Sequence, residues 1–584
     1  MSTELTLADL LVAHLERVGI TDAFVVTGGA IAGFTESLAK SEKITCHYLL
    51  TEQSASIAAE AYGHYDSSPA LLVTTSGPGV TNALTGVAAA WTNSTPMIVV
   101  SGQARSKDVL ESRESANRQV GNQHLDTLSL VTAITKLNLE PVSEFKCYEV
   151  VDELYTTATS GRHGPVWLSF PSDIQRKCVT SDLVKVENRV HQEILGSVNS
   201  ELEIKIRELF NDSKKPAVLI GNGARQKGNL PKEIHDFLLR NEVPVVTTWP
   251  GLDMIPDDFT FYFGRPGTIA SSYVANYLVQ ECDALLILGA RLDLAQIGFR
   301  PDDFATQAKV LRVDIDKEEF SRIPTRKNWC NFLASIPETL EVFAKLDGVT
   351  LNHNSWIETL SQKQGIKIGR GLKDFEDGIS TYRVIEALSQ HGIDNIVCGS
   401  SGTCVEMVLQ TWPGSSKQRF IFSCGLGSMG FGLASAIGIA VKTKKQILLI
   451  ESDGSLAMNI HDFETISRMG LNIKIAILNS DGYKSIRLSQ KRQNQTPHGT
   501  DESTGVFLPD ATKWALASGI KAMDVNSGDK LIEAIDWLLD SDLPKLINLH
   551  VSASEEAIPR LLSKVNANGV METSDYCDLW PTVI

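Results

Sequence analysis

Residues 446–483 read QILLIESDGSLAMNIHDFETISRMGLNIKIAILNSDGY. Two apolar runs, QILLIES and IKIAILNS, end in polar tips, Ser452-Asp453-Gly454-Ser455 and Asn479-Ser480-Asp481-Gly482-Tyr483. Between them Leu456, Ile460, Phe463 and Ile466 recur at helical spacing. The unit reads as strand, one helix, strand, a parallel crossover that brings both tips to one sheet edge, where open α/β sheets bind ligands. Asp453 offers a hard anionic oxygen, Asn479 and Ser480 offer neutral ones, and Gly454-Ser455 open a helix whose N–H groups suit a phosphate. Together they suit Mg²⁺ bridging a diphosphate, whereas an acid-glycine tip standing alone is an ordinary turn.

The same alternation extends outward in both directions. Up to about residue 185, TDAFVVTG, ALLVTTSG, PMIVVSGQ and PVWLSFP alternate with helical runs. A second block, 195–350, carries PAVLIGNG, VPVVTTWP, ALLILGARLD and KVLRVDID, and fades into a polar linker around Asn352 to Asp377. A third block covers 378–555, and the segment 556–584 has weak periodicity, reading either as a disordered tail or as a surface strap. The expected fold is α/β, with three consecutive doubly wound parallel-sheet domains. A length of 584 residues with 43% hydrophobic content fits such a globular chain, and the net charge of −16 argues against nucleic acid or an anionic membrane as partner. Nine scattered cysteines suggest reduced thiols and a cytoplasmic location. The N-terminal helix carries Glu4, Asp9 and Glu16, unlike a signal peptide, and no apolar run reaches spanning length.

Several motifs admit two readings at this level. Glu52 opens the small-residue helix after CHYLLT, and first-turn acids favour the helix dipole whatever else they do. Gly28-Gly29-Ala30 and Ser76-Gly77-Pro78-Gly79 with Asn82 end strand-like runs as small-residue loops. Gly121-Asn122-Gln123-His124 is a loop whose histidine is either an acid-base group or merely exposed. Gly425-Leu426-Gly427-Ser428-Met429-Gly430 matches the dinucleotide fingerprint, with Glu451 at about the distance of a ribose-binding acid. Met429 alone reads as core filler, and Cys404 alone as a weakly supported nucleophile.

Taken together, these motifs resemble the thiamine-diphosphate (ThDP) enzymes, whose cofactor motif is a GDG triplet followed, after a helix and strand, by two asparagines. The chain departs from it at Ser452 and Ser480. The ordered runs GGAI, TEQ, TTSGPGVTNALTG, PMIVVSGQ and GRHGPVWLSFP resemble the pyrimidine-binding domain of acetolactate synthases. The resemblance implies that 1–185 binds the pyrimidine through Gly28, Gly29, Ala30, Ser76 and Asn82, with Glu52 hydrogen-bonding its N1′ and Gln123 contacting substrate. It implies that 378–555 binds the diphosphate through Gly402, Thr403, Cys404, Gly454, Ser455 and Tyr483. Gly427 would accept the 4′-amino group and Met429 would hold the cofactor bent. Asp453, Ser480 and the Gly482 carbonyl would hold Mg²⁺. Gly221, Asn222, Gly223, Thr248, Trp249, Gly289, Arg291, Asp293, Asp314 and Ile315 look like FAD-binding positions, although Ala295 and Gln296 depart from the usual residues. The tail would be an active-site lid.

The activity implied is decarboxylation of a 2-oxo acid, pyruvate, and transfer of the two-carbon unit to a carbonyl acceptor, in a homodimer or homotetramer. The run Gly482-Tyr483-Lys484-Ser485-Ile486-Arg487 resembles, rather than the usual acetolactate synthase continuation, relatives of surface-polysaccharide and branched-sugar pathways, including the enzyme that adds a two-carbon unit to a nucleotide-linked keto sugar. Lys484 and Arg487 read either as contacts to an anionic acceptor or as solvated helix charges. A C–C hydrolase or simple decarboxylase, and a homologue that has lost catalysis, are the alternatives at this level; Ser452 and Ser480 motivate the last.

Overall fold

The computed structural model describes residues 5–115, 117–179, 200–269, 271–321, 323, 326–346, 353–364, 373–399, 401–423, 425–565, 568–569 and 571–581. The first sheet contains β1 (Asp22–Val25), β2 (Thr45–Tyr48), β3 (Ala70–Thr74), β4 (Met97–Gln103), β5 (Leu137–Leu139) and β6 (Pro165–Pro171), in the order β2-β1-β3-β4-β6-β5. The second contains β7 (Pro216–Ile220), β8 (Val245–Thr247), β9 (Ala284–Leu288), β10 (Lys309–Asp314) and β11 (Trp329–Leu333), ordered β11-β10-β9-β7-β8. The third contains β12 (Asn395–Cys398), β13 (Arg419–Ile421), β14 (Ile447–Ser452), β15 (Ile473–Asn479), β16 (Lys521–Val525) and β17 (Lys545–His550), ordered β13-β12-β14-β15-β17-β16. Every pairing in the three sheets is parallel.

Two-sided burial explains the near-continuous apolar strands. In β3, Leu71 and Val73 enter one core and Leu72 the opposite one. In β14, Leu448 and Ile450 face one core while Ile447 and Leu449 face the other. Successive side chains of a strand point to opposite faces, so both faces must be covered, and helices cover them.

Three expectations change. The single helix expected between the two tips is two helices, Asp453–Leu456 and Asp462–Met469. The break lets Asn459 turn inward: its side-chain amide lies 2.8 Å from Ser54 Oγ of the first domain. The linker expected around Asn352 to Asp377 contains the helix Asn354–Gln364, which buries Trp356 and Leu360 in the central core. The segment after Glu555 is not a bare surface crossing, because Leu561, Tyr576 and Leu579 also enter that core. There, β18 (Arg560–Leu561) pairs antiparallel with β21 (Leu579–Trp580), and β19 (Ser563–Val565) with β20 (Met571–Thr573).

The domains are locked at a buried charge cluster. Asp253 pairs with Arg225 in the central domain and lies 2.8 Å from Arg419 Nη1 at the head of β13. Arg419 also donates to the carbonyls of His64 (2.8 Å) and Tyr65 (3.0 Å) in the first domain. The helices Glu52–Asp66 and Gly432–Thr443 pack so closely that a Cβ on Gly438 would lie 2.1 Å from the Ala58 carbonyl. Among the described residues no helix is long and apolar enough to cross a membrane, and the eight described cysteines are free.

Candidate functional site

The carboxyl ends of β14 and β15 meet as the crossover requires. Asp453 is 8% exposed; its Oδ2 accepts from Gly482 N at 2.7 Å, while Oδ1 is buried without a partner. Burial pushes its carboxyl up to about 6, a shift that a cation beside Oδ1 would offset. Ser480 is buried, its Oγ 3.5 Å from the Gly482 carbonyl. Gly482 has φ 123°, and a Cβ there would lie 2.1 Å from Thr500 O. Tyr483 lies over Gly454, where a Cβ would come within 2.6 Å of the ring. One orphaned carboxylate oxygen, one hydroxyl and one carbonyl fit Mg²⁺, which takes few protein ligands and completes its shell with phosphate and water. The two basic residues beyond are not solvated helix charges. Arg487 clamps the loop through Ser480 O (2.8 Å), Asp481 O (3.3 Å) and Asp501 Oδ2 (3.0 Å), and Lys484 is 5% exposed.

Beside this loop the helix Gly402–Thr411 begins at Ser401 without a side-chain cap, so the amides of Gly402, Thr403 and Cys404 form an uncapped N-terminus suited to a diphosphate. Cys404 is buried, and the Cys398 thiol beside it together with burial raises its own thiol well above the usual range, against a nucleophilic role. Ser455 is also buried; its hydroxyl accepts from Gly430 N at 2.9 Å and so braces the 425–430 loop, leaving the backbone as its only offer to a ligand. Gly427 and Met429 are half-buried on that loop. Glu451 cannot bind a ribose. It is 1% exposed, and it accepts from Gly432 N (3.1 Å) and Ser452 N (2.8 Å). The dinucleotide reading fails there, and the glycine loop serves as the neighbour of Asp453 instead.

In the first domain, Thr51 caps the helix Glu52–Asp66 by accepting from Ser54 N, which places Glu52 at its first position. Glu52 Oε2 accepts from Asn82 Nδ2 at 3.0 Å. Ser76 is buried with an unpartnered hydroxyl. Gly28 packs on Thr75, a Cβ on Gly77 would lie 2.7 Å from Gln123 O, and Ala30 abuts Gly102. Gly29 lies beside them, and Gln123 takes φ 55°. These loops therefore gather at one sheet edge. His124 is not an exposed loop histidine: it is 5% exposed, with Nε2 3.2 Å from Ser112 Oγ.

The sequence reading missed a buried network under Glu52. Ser54 Oγ donates to Asp462 Oδ2 at 2.8 Å, and Thr51 Oγ1 lies 3.2 Å from His461 Nε2. Burial pushes Asp462 up to about 7. Its signal, an acid in the first turn of an amphipathic helix, is the commonest of solvent-facing patterns. Among the described residues neither Glu52 nor Asp453 itself bonds across the two domains, although the Thr51–Ser54 turn is tied to Asn459, His461 and Asp462.

The central-domain positions also share an edge. Gly221 and Gly223 pack against Gly289, whose carbonyl would lie 2.2 and 2.8 Å from their Cβ atoms. Asn222 Oδ1 is taken by Arg225 (2.9 Å), Arg291 reaches Thr92 O (3.0 Å) and Asp293, and Asp314 Oδ1 accepts from Asp316 N (3.0 Å). Ile315 is exposed. Thr248 Oγ1 and Trp249 Nε1 are buried without partners, donors left over for a ligand. Gln296 is buried, donating to Pro266 O (2.8 Å), while Tyr576 OH donates to Gln296 O (2.7 Å), so the C-terminal segment closes one side of this edge.

Two edges, one offering a diphosphate cradle with an orphaned carboxylate and the other a glutamate at a helix start, define an enzyme of a phosphorylated cofactor. The family comparisons agree in order along the chain. Thiamine pyrophosphate enzyme, N-terminal TPP binding domain, matches residues 5–130; the central domain of the same family matches 204–342; and its C-terminal TPP binding domain matches 400–549. The chain belongs to the thiamine pyrophosphate enzymes, in their acetolactate synthase-like branch. Similar proteins include acetolactate synthase 1, chloroplastic, of Nicotiana tabacum, 29% identical over 95% of this chain and 83% of the relative. Acetolactate synthase isozyme 2 large subunit of Escherichia coli is 28% identical over 94% of this chain and 96% of the relative. The chloroplastic acetolactate synthase of Arabidopsis thaliana is 28% identical over 97% and 84%.

Proposed function

We propose that the chain decarboxylates a 2-oxo acid, pyruvate, and passes the two-carbon unit to a carbonyl acceptor, a keto sugar carried on a nucleotide, with ThDP and Mg²⁺. The observation that carries this reading is the orphaned Asp453 Oδ1 between the uncapped Gly402 helix and the Ser480–Gly482 loop. Bound there, ThDP supplies an electron sink for the carbanion left by loss of CO₂. Asp453, Ser480 and the Gly482 carbonyl hold the metal; Gly402, Thr403, Cys404 and Gly454 supply N–H groups to the diphosphate. Gly427 and Met429 position the ring system. Glu52, held through Oε2 by Asn82, has Oε1 to share a proton with the aminopyrimidine. Gln123, at the rim of the same edge, faces the substrate. The domain limits 1–185, 195–350 and 378–555 and a lid over 556–584 belong to this proposal, as does a cytoplasmic location.

Since neither Glu52 nor Asp453 itself bonds across the two domains of one chain, a second copy would complete each centre, in a homodimer or homotetramer. We also propose FAD at the Gly221–Gly289 edge, on the strength of the leftover donors of Thr248 and Trp249. A visible flavin absorbance that is released on denaturation supports it, and a colourless, flavin-free protein overturns it. The activity is tested by CO₂ release from pyruvate with ThDP and Mg²⁺ and by product mass with keto-sugar nucleotides. Release of CO₂ with an adduct heavier by the two-carbon unit supports the reading. Release of acetaldehyde alone points to a simple decarboxylase, and no release to lost catalysis.

A further inference from the structure

One helical turn beyond the diphosphate cradle, two charged side chains, Glu406 and Arg560, stand without a hydrogen-bond or ion-pair partner among the described residues. The helix Gly402–Thr411 lies along the helix Lys484–Arg492, a Cβ on Gly402 falling 3.1 Å from Ser485 Oγ. Residues four apart share a helix face, so Glu406 continues the Gly402 face toward Arg492. The C-terminal strap crosses here: Gln410 Nε2 donates to Pro559 O at 3.0 Å and Tyr382 OH to Ile558 O at 3.1 Å. That anchoring sets Arg560 where its field, with that of Arg492, acts on Glu406.

The four charges are not neutralised pairwise. Arg492 is spent on Glu556 at 3.0 Å. Among the described residues Arg560 makes no side-chain hydrogen bond or ion pair, its Nε being buried without a partner, and Glu406 makes none either. Buried donors are normally satisfied, so the orphaned Arg560 Nε, beside an unpaired carboxylate that feels its charge, marks a place for a ligand.

Resting on the carboligation proposed above, we propose that Glu406 and Arg560 are specificity-determining residues that bind hydroxyl groups of a sugar acceptor and disfavour a second 2-oxo acid. A hydroxyl donates to Glu406 while its neighbour accepts from Arg560, so a vicinal diol satisfies both at once. A carboxylate-bearing acceptor gains from Arg560 but meets the like charge of Glu406, which is selection by repulsion as well as attraction.

The test uses the chain loaded with ThDP and Mg²⁺, pyruvate as donor, and either a keto-sugar nucleotide or pyruvate as acceptor. Glu406→Gln and Arg560→Met are each expected to raise the sugar KM by about tenfold or more while leaving CO₂ release from pyruvate alone within about twofold. Arg560→Lys should recover part of the loss, and Glu406→Gln should raise the share of product formed from two pyruvates. Calorimetry of the keto-sugar nucleotide on the same proteins gives a readout independent of turnover, with a parallel loss of affinity expected. Unchanged KM and affinity in both variants, or a wild-type chain that prefers pyruvate over the sugar as acceptor, would overturn the inference. Absence of CO₂ release from the wild type, with sugar binding intact and weakened in the variants, would instead overturn the carboligase reading and leave the subsite standing.

Discussion

Glu52 stands at the first position of its helix with one carboxylate oxygen held and the other free. Glu52→Gln preserves the shape and the Asn82 contact but cannot exchange the proton. ThDP affinity is expected to stay within a few-fold while turnover falls by about 100-fold or more, as for a positioned acid-base group; steady-state kinetics beside cofactor titration check both. Ser480→Asn replaces a hydroxyl by a stronger amide-oxygen donor, and Mg²⁺-dependent ThDP binding is expected to tighten. Unchanged affinity would remove Ser480 from the metal shell. Asp462 carries part of the pH dependence, beside Glu451, pushed up by burial to about 7, and Asp453, pushed up to about 6. The folded Asp462 carboxyl sits at about 7 against an ordinary 3.8, so the native chain binds more protons than the unfolded one between those values and loses stability as pH rises through that window. At about 1.4 kcal/mol per unit its share of the loss reaches up to about 4 kcal/mol, and Asp462→Asn should make the remaining dependence shallower without abolishing it, as seen in denaturant midpoints at pH 5 and pH 8. Glu52 and Asp453 were legible in the sequence because strand ends and helix starts carry them. Asp462 was not, since its burial is imposed by Ser54, more than four hundred positions away in the chain.

At the scale of elements, the crossover from β14 to β15 was legible in two apolar runs with polar tips, because parallel strands buried on both faces need such runs. The interruption of its helix was not legible. Apolar spacing is indifferent to a break that keeps Leu456 and Phe463 on the core side, and the break serves Asn459, whose partner lies in another domain. The helix Asn354–Gln364 was hidden for a related reason: only Trp356 and Leu360 are buried, too few to outweigh a polar composition. Helix contacts also decide the outcome at Gly438. Helix propensity alone favours alanine there by about 1 kcal/mol. The methyl group would stand 2.1 Å from the Ala58 carbonyl, an overpacking that costs about 1–3 kcal/mol and displaces the Glu52 helix. Gly438→Ala is therefore expected to lower the denaturation midpoint rather than raise it, and to reduce turnover as well.

At the scale of the molecule, three parallel sheets were legible as three alternating blocks, but not the way the C-terminal strap inserts Leu561, Tyr576 and Leu579 into the central core. Isolated aromatics in a weakly periodic tail give no local sign of a distant docking site. If a second copy completes each centre, Glu52→Gln and Asp453→Asn chains, each inactive alone, should complement on mixing. Random exchange makes half the dimers mixed with one intact site apiece, and about a quarter of wild-type activity should return; no recovery after verified exchange would place both residues in one chain's centre. The first and third sheets wind identically, β2-β1-β3-β4-β6-β5 and β13-β12-β14-β15-β17-β16. The molecule thus contains two copies of one winding, matched to the N-terminal and C-terminal TPP binding domains of one family. What the proposed centre requires is two such carboxyl edges in apposition, and for that centre the covalent route between them is incidental. A gene split between these two sheets, or one that encodes them in the reverse order, would build the same chemistry.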